Sequence, residues 1–126
     1  MSAPSYSVLV NVQTRFLPEQ SDVAASRFAF AYTIEITNHS ELSVQLLSRY
    51  WIITDGNGTE QHVQGPGVIG QKPHIASGAS FSYSSGCVLN TPVGVMQGHY
   101  QMRTAEGERF ECPIAPFRLA QPGALH

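Results

Sequence analysis

The chain has 126 residues, 42% of them hydrophobic and 13% charged, and its seven basic and nine acidic side chains give a formal net charge of −2. This composition excludes a disordered chain and a coiled coil, and the length allows one domain with a single core. The basic residues are scattered along the sequence, which argues against nucleic acid as a partner because such binding needs a clustered positive patch.

No segment has the features of a membrane span or a secretory signal. The longest uninterrupted apolar run covers only residues 28–32, whereas a membrane helix needs about 20 residues. The first ten residues carry neither a basic region nor an extended apolar region. We therefore expect a cytoplasmic protein.

Apolar residues alternate with polar ones along the first half of the chain. In residues 6–12 the alternation begins at Tyr6, and in residues 27–38 five large apolar side chains fall on one face. A period of two predicts strands packed on one side. Residues 42–54 form a third predicted strand, and its segment 50–53 reads as buried on both faces.

Turn signals separate the remaining predicted strands. Residues 55–58 predict a hairpin leading to a short polar edge strand at 59–64, and residues 65–73 form an irregular glycine-rich segment, the glycine loop. Strands follow at 79–85, 96–104 and 109–119, with Pro113 and Pro116 marking an edge or a bulge in the last. Residues 120–126 read as a loose tail.

The fold class that this pattern predicts is all-β. Seven or eight short strands and no amphipathic helix favour an antiparallel β-sandwich of immunoglobulin or fibronectin III type, with a small barrel as the alternative. We expect one domain over residues 1–126, with its core at about residues 6–119.

The glycine loop contains the letters G-x-G-x-x-G at residues 65–70, which match a dinucleotide-binding fingerprint. A true fingerprint follows a buried strand and opens a helix, whereas here a polar stretch precedes it and Pro73 follows too soon for a helix. Backbone N–H groups of such a loop can still form an anion-binding nest, and Lys72 is the only lysine in the chain. The alternative is a loop that joins two sheets and binds nothing.

Candidate metal and catalytic residues are dispersed. The histidines have none of the spacings of metal ligands: His39, His62, His74, His99 and His126. Two of them, His62 and His74, flank the glycine loop and could converge in space. Exposed strand histidines are the other reading. No nucleophile motif is present, so the sequence predicts neither an enzyme, nor a cofactor, nor a metal site.

Two cysteines, Cys87 and Cys112, are too few for a disulfide scaffold, and we expect both to be unpaired in a reducing compartment. An immunoglobulin-type bridge is the rival interpretation. It would place a tryptophan between the two cysteines, whereas Trp51 precedes both.

Seven separated segments together resemble one known family. They are RFL at 15–17, FAFAYTI at 28–34, WIITDGNG at 51–58, GPGVIGQKP at 65–73, FSYSSG at 81–86, MQGHY at 96–100 and PIAPFRL at 113–119. In this order they resemble the ApaG family over about residues 6–119. The two cysteines are not part of that resemblance.

The resemblance implies a fibronectin III-like sandwich with no established enzymatic activity. Bacterial members are similar to a protein linked to cobalt tolerance and magnesium efflux, and eukaryotic relatives use the domain inside F-box and polymerase-interacting proteins. These settings imply protein binding as the shared role.

Our leading hypothesis is a non-enzymatic module that binds another protein through a free edge strand or the glycine loop. The candidate loop residues are Gly65, Gly67, Val68, Gly70, Lys72 and Pro73. We expect bulky replacements of Gly67 and Gly70 to abolish binding and leave the fold intact. The alternatives are a pyrophosphate-like anion or nucleotide at the same loop, direct binding of a divalent cation, and a homodimer formed through an edge strand.

Overall fold

Eight strands carry the fold in the computed structural model, which describes residues 7–124. They are β1 (Val8–Phe16), β2 (Phe28–Asn38), β3 (Val44–Asp55), β4 (Glu60–Pro66), β5 (His74–Ile75), β6 (Ser80–Leu89), β7 (Val93–Thr104) and β8 (Arg109–Ala120). The helical segments of this range are two single 3₁₀ turns, Pro18–Gln20 and Val23–Ala25. The predicted all-β class and strand number are confirmed.

The strands form two antiparallel sheets. The smaller sheet has the order β1-β2-β6, and the larger has the order β4-β3-β7-β8, with β5 pairing with β3 beyond the end of β4. The two sheets pack face to face, which confirms the predicted fibronectin III-like sandwich and not the small barrel.

The predicted alternation places the core correctly along β2. Its residues Phe28, Phe30, Tyr32, Ile34 and Ile36 are all buried between the sheets. The hydrophobic core continues on the inner faces of β3, β6, β7 and β8. Val8, Val10 and Val12 of β1 pack against its rim, whereas Tyr6 lies outside the described residues.

The prediction that residues 50–53 are buried on both faces is wrong. Trp51 is buried, but Tyr50 and Ile52 lie half-exposed on the outer face of the larger sheet. No further layer covers that face in the described part of the chain, so large side chains there pack against one another and remain in contact with water.

The two long sides of the sandwich differ. On one side β1 packs against β8, and the Cys112 thiol donates a weak hydrogen bond to the carbonyl oxygen of Val8 across 3.7 Å. On the other side β4 and β6 end their sheets without facing strands among the described residues. The sandwich is therefore closed along β1 and β8 and open along β4 and β6.

The turns and the last strand agree with the sequence. The Asp55 carboxylate accepts hydrogen bonds from the backbone N–H groups of Asn57 and Thr59, which fixes the predicted turn into β4. Strand β8 lies at an edge, and its register with β7 shifts between Met96 and Gly98, as its prolines predicted. It extends to Ala120, the first residue of the predicted tail, and residues 125–126 lie outside the described range.

Candidate functional site

The glycine loop is a tight hairpin and not the irregular segment that the sequence predicted. Gly65 and Pro66 still belong to β4. Beyond them Val68 and Gln71 exchange two backbone hydrogen bonds, of 2.8 and 2.9 Å. The residues between them, Ile69 and Gly70, have φ values of 42° and 77°, the positive pair that characterises a type I′ turn.

The base of this hairpin is anchored in the sandwich. The Val68 side chain is fully buried in the core, so it does not contribute to the loop surface. At Gly67, φ is +60° and a Cβ atom would stand 2.2 Å from the Gln71 carbonyl oxygen. Bulky replacement of Gly67 would therefore distort the hairpin, and the expectation that the fold tolerates it is wrong.

The tip of the hairpin carries an exposed apolar residue in a strained conformation. Ile69 is 55% exposed, and its positive φ is unfavourable for a β-branched side chain, which has an extra heavy atom on Cβ. Gly70 beside it has open space around its Cα. Ile69 is therefore a candidate contact residue, because an unfavourable backbone conformation holds its apolar side chain in solvent.

Backbone amides of the glycine loop are mostly committed to the protein itself. The N–H of Gly67 donates to the Leu47 carbonyl oxygen across 2.8 Å, and those of Val68 and Gln71 bond within the hairpin. An anion nest would need these donors free. Lys72 is exposed to solvent. The carbonyl oxygen of Pro73 accepts a hydrogen bond from the Leu46 N–H, so the chain is again bonded to β3 after the loop.

A row of basic side chains crosses the larger sheet beside the hairpin. Register places Arg103 opposite Gln45 on one side and opposite Arg109 on the other, and His74 lies opposite Gln45. The two arginines and Lys72 line a concavity of about 580 Å³ that has no acidic residue in its lining. We call these four side chains, His74, Lys72, Arg103 and Arg109, the basic row. Directly opposed like charges repel, so the Arg103–Arg109 pair favours an anion between them.

An open cleft lies between the sheets where β4 and β6 diverge. It has a volume of about 390 Å³, within the range of small ligand pockets. Its walls come from five strands and include Tyr32, Trp51, Val63 and Cys87. Arg49 is the only lining residue with a formal charge, and its guanidinium donates to the carbonyl oxygens of Pro66 and Gly67 across 3.1 and 2.8 Å.

Tyr50 organises two histidines on the outer face of the larger sheet. Its ring lies 5.6 Å from the His62 ring and 5.3 Å from the His99 ring, and its hydroxyl group hydrogen-bonds to His62 Nδ1. Each histidine also faces a carboxylate. The Nε2 atom of His62 lies 3.2 Å from Glu60 Oε1, and that of His99 lies 3.2 Å from Glu111 Oε1. Only the strand register, which the sequence does not reveal, brings these residues together.

The two histidines that flank the glycine loop do not converge. His62 lies opposite Ile52 and His74 opposite Gln45, seven positions away along β3, which corresponds to about 23 Å at 3.3 Å per residue. Across residues 7–124 no group of three or more histidine, cysteine, aspartate or glutamate side chains is placed to hold a metal ion. The same range holds no helix of the length and apolarity that crossing a membrane requires.

The predicted unpaired state of the cysteines is confirmed. Cys87 is half-buried in the open cleft, whereas Cys112 is buried near β1 on the closed side. Burial raises the pKa of each thiol from 9.0 to about 11. Both thiols are therefore neutral at physiological pH, which is the unreactive form.

Two features define the class of this molecule: an antiparallel fibronectin III-like sandwich, and a type I′ glycine hairpin that continues an edge strand. A family model described as the ApaG domain matches residues 18–104. The chain belongs to the ApaG family.

Individual relatives agree over the whole length. The chain is similar to Protein ApaG of Pseudomonas putida, with 58% identity, and to Protein ApaG of Azotobacter vinelandii, with 54% identity; each comparison covers 100% of both chains. Among solved structures it is similar to a putative ApaA protein from Bordetella pertussis, with 48% identity and a TM-score of 0.91. That match covers 94% of this chain and 96% of the other.

Proposed function

We propose that this protein is a cytoplasmic, non-enzymatic module that binds another protein through the tip of the glycine loop. The observation that carries the proposal is Ile69, an exposed apolar side chain held at positive φ on a hairpin whose base is locked by Val68. A rigid, protruding apolar residue is a typical anchor for a protein partner. The neutral thiols and the dispersed carboxylates give no support to catalysis.

Capture from native lysate tests this function with two matched variants. Ile69→Asn removes the apolar tip and suits the positive φ, because asparagine tolerates the left-handed region. Leu9→Thr is the control, since Leu9 is equally exposed at 56% but lies on β1 at the far side of the sandwich. We expect a specific protein to bind the wild type and Leu9→Thr and to be lost with Ile69→Asn. Equal capture by all three, or no specific capture, contradicts the proposal.

We further propose that the cobalt and magnesium association implied by the family is indirect and acts through the protein partner. Over residues 7–124 no group of three or more histidine, cysteine, aspartate or glutamate side chains is placed to hold a metal ion, which supports this view. Calorimetric titration with Co²⁺ and Mg²⁺ is expected to show no saturable binding. A stoichiometric site would show that the cation role is direct.

Anion binding is the second candidate function, and the basic row favours it. Opposed arginines beside Lys72 suit a phosphate or pyrophosphate group better than the committed amides of the glycine loop do. Titration with pyrophosphate is expected to be weakened by Arg103→Gln, Arg109→Gln and Lys72→Ala. Arg118→Gln is the matched control, because Arg118 lies on the same strand as Arg109 but opposite Val95. Absence of binding to the wild type removes this candidate.

A further inference from the structure

Strand β4 presents unpaired backbone groups along its outer side. At one end of the ladder between β4 and β3, the N–H of Gly67 donates to the carbonyl oxygen of Leu47. At the other end, the N–H of Asp55 donates to the carbonyl oxygen of Thr59. Hydrogen-bonded pairs alternate along an antiparallel ladder, so odd-numbered residues of β4 bond to β3. The even-numbered residues direct N–H and C=O groups toward the free edge: Glu60, His62 and Gln64.

The side chains next to this edge define a specific environment. Val63 lies opposite Trp51 and shares its inner face, and alternation places Gln61 and Gly65 on that face too. A strand added to β4 would therefore direct every second side chain into the open cleft. Val63 and Ile53, which are half-buried at the cleft, offer it apolar surface.

Arg49 adds a charge at one end of this edge. Its guanidinium lies over Gly65, where a Cβ atom would stand 3.1 Å from both terminal nitrogens. Glycine at this position leaves room for the guanidinium. The same group reaches the outward side of β4, because it donates to the carbonyl oxygen of Pro66. No lining residue of the cleft supplies a carboxylate to balance it.

We propose that β4 accepts an extended segment of a partner protein as an added β-strand, with an acidic side chain of that segment bound to Arg49. Two residues along, an apolar side chain of the segment packs against the half-buried Val63 in the open cleft. Main-chain hydrogen bonds to the even-numbered residues hold the strand, and the acidic and apolar positions select it. This inference rests on the proposed protein-binding function and specifies the chemistry of the partner.

Selection from a randomised peptide library on the immobilised wild-type protein is the first test. We expect enrichment of extended peptides in which aspartate or glutamate lies two residues from a large apolar residue. Binding is then measured by the fluorescence of Trp51, the only tryptophan of the chain and a wall of the cleft. Failure to enrich that spacing overturns the proposal.

Paired variants test the backbone and the charge separately. Gln64→Pro deletes an outward N–H without removing a bond to β3, and Gln64→Thr is its control. We expect Gln64→Pro to weaken the selected peptide by about tenfold or more, and Gln64→Thr by less than about twofold. Equal affinities of these two variants would show that no strand is added at β4.

A cycle between protein and peptide distinguishes the charge of Arg49 from its support of the glycine loop. Arg49→Gln should weaken the acidic peptide by about tenfold or more and leave its glutamine analogue nearly unchanged. An equal loss for both peptides would mean that Arg49 acts only through the loop carbonyls it bonds. Arg49→Lys should retain part of the preference for the acidic peptide.

Two further outcomes concern the occupant and the parent function. A wild-type dimer that Gln64→Pro converts to a monomer would assign the edge to a second copy of the chain and overturn the proposal. Capture from lysate that depends on Ile69 but not on Gln64 or Arg49 would leave the protein-binding function standing and overturn the strand addition alone. Capture that does not depend on Ile69 either would contradict both the protein binding through the glycine loop and the strand addition at β4.

Discussion

Replacement of Ile69 by asparagine should leave the fold at least as stable as the wild type, although it removes a large apolar side chain. A β-branched residue at φ 42° costs about 1–2 kcal/mol relative to one that tolerates the left-handed region. Ile69 is 55% exposed, so the burial lost is about half of the roughly 2 kcal/mol of a fully buried isoleucine. The two effects sum to a gain of about 0–1 kcal/mol.

Chemical denaturation of Ile69→Asn and Leu9→Thr measures this balance. Leu9 loses a similar fraction of buried surface at 56% exposure, but its strand conformation stores no comparable strain. The free energy of unfolding should therefore be about 1–2 kcal/mol higher for Ile69→Asn than for Leu9→Thr, or about 4–8 °C in Tm for a domain of this size. A loss at Ile69 equal to or larger than that at Leu9 would refute the strain argument.

The remaining predictions concern the core and its response to pH. The hydroxyl groups of Tyr83 and Tyr100 share a buried hydrogen bond of 2.5 Å, so Tyr100→Phe should lower the free energy of unfolding by about 1–3 kcal/mol, and adding Tyr83→Phe should recover part of that loss in a denaturation cycle. Val68→Ala should cost about 2 kcal/mol, because Val68 anchors the hairpin in the core; a cost below about 0.5 kcal/mol would contradict that role. Burial raises the pKa of Cys112 from 9.0 to about 11 and that of Tyr83 from 10.0 to about 12, and groups with raised pKa values stabilise the fold below their unfolded pKa and lose this contribution as pH rises through the folded value. Stability should therefore fall between about pH 9 and pH 12, and thermal melts that stay flat over that range would contradict the burial of these groups.

Strand alternation made most of the fold predictable. The apolar period of two along β2 coincides with its buried face. The Asp-Gly-Asn-Gly turn at 55–58 leads into β4, and the polar sequence of that strand predicted the edge position that is observed. Burial of Tyr50 and Ile52 was predicted wrongly, because an apolar run does not show whether a sheet is covered on its outer face. The two-residue strand β5 carries too short a pattern to be predicted.

The candidate site was predictable only in its location. Glycines at 65, 67 and 70 marked the loop, but an Ile-Gly type I′ turn lacks the usual asparagine or aspartate signal, so Ile69 was missed. The basic row and the contacts of Tyr50 with His62 and His99 depend on cross-strand register, which places residues that are far apart in sequence side by side. Arg49 was missed because its contact with the end of β4 follows from the open side of the sandwich.

Amide hydrogen exchange of the protein alone and in complex with its captured partner locates the binding surface on the sandwich. Partner binding through the glycine loop and the edge of β4 predicts new protection at Ile69 and Gly70 and at the outward amides of His62 and Gln64. The amides of β1, on the closed side, should keep their exchange rates. Protection confined to β1 and β8, with none at the loop or β4, would place the partner on the closed side and contradict binding through the glycine loop and β4.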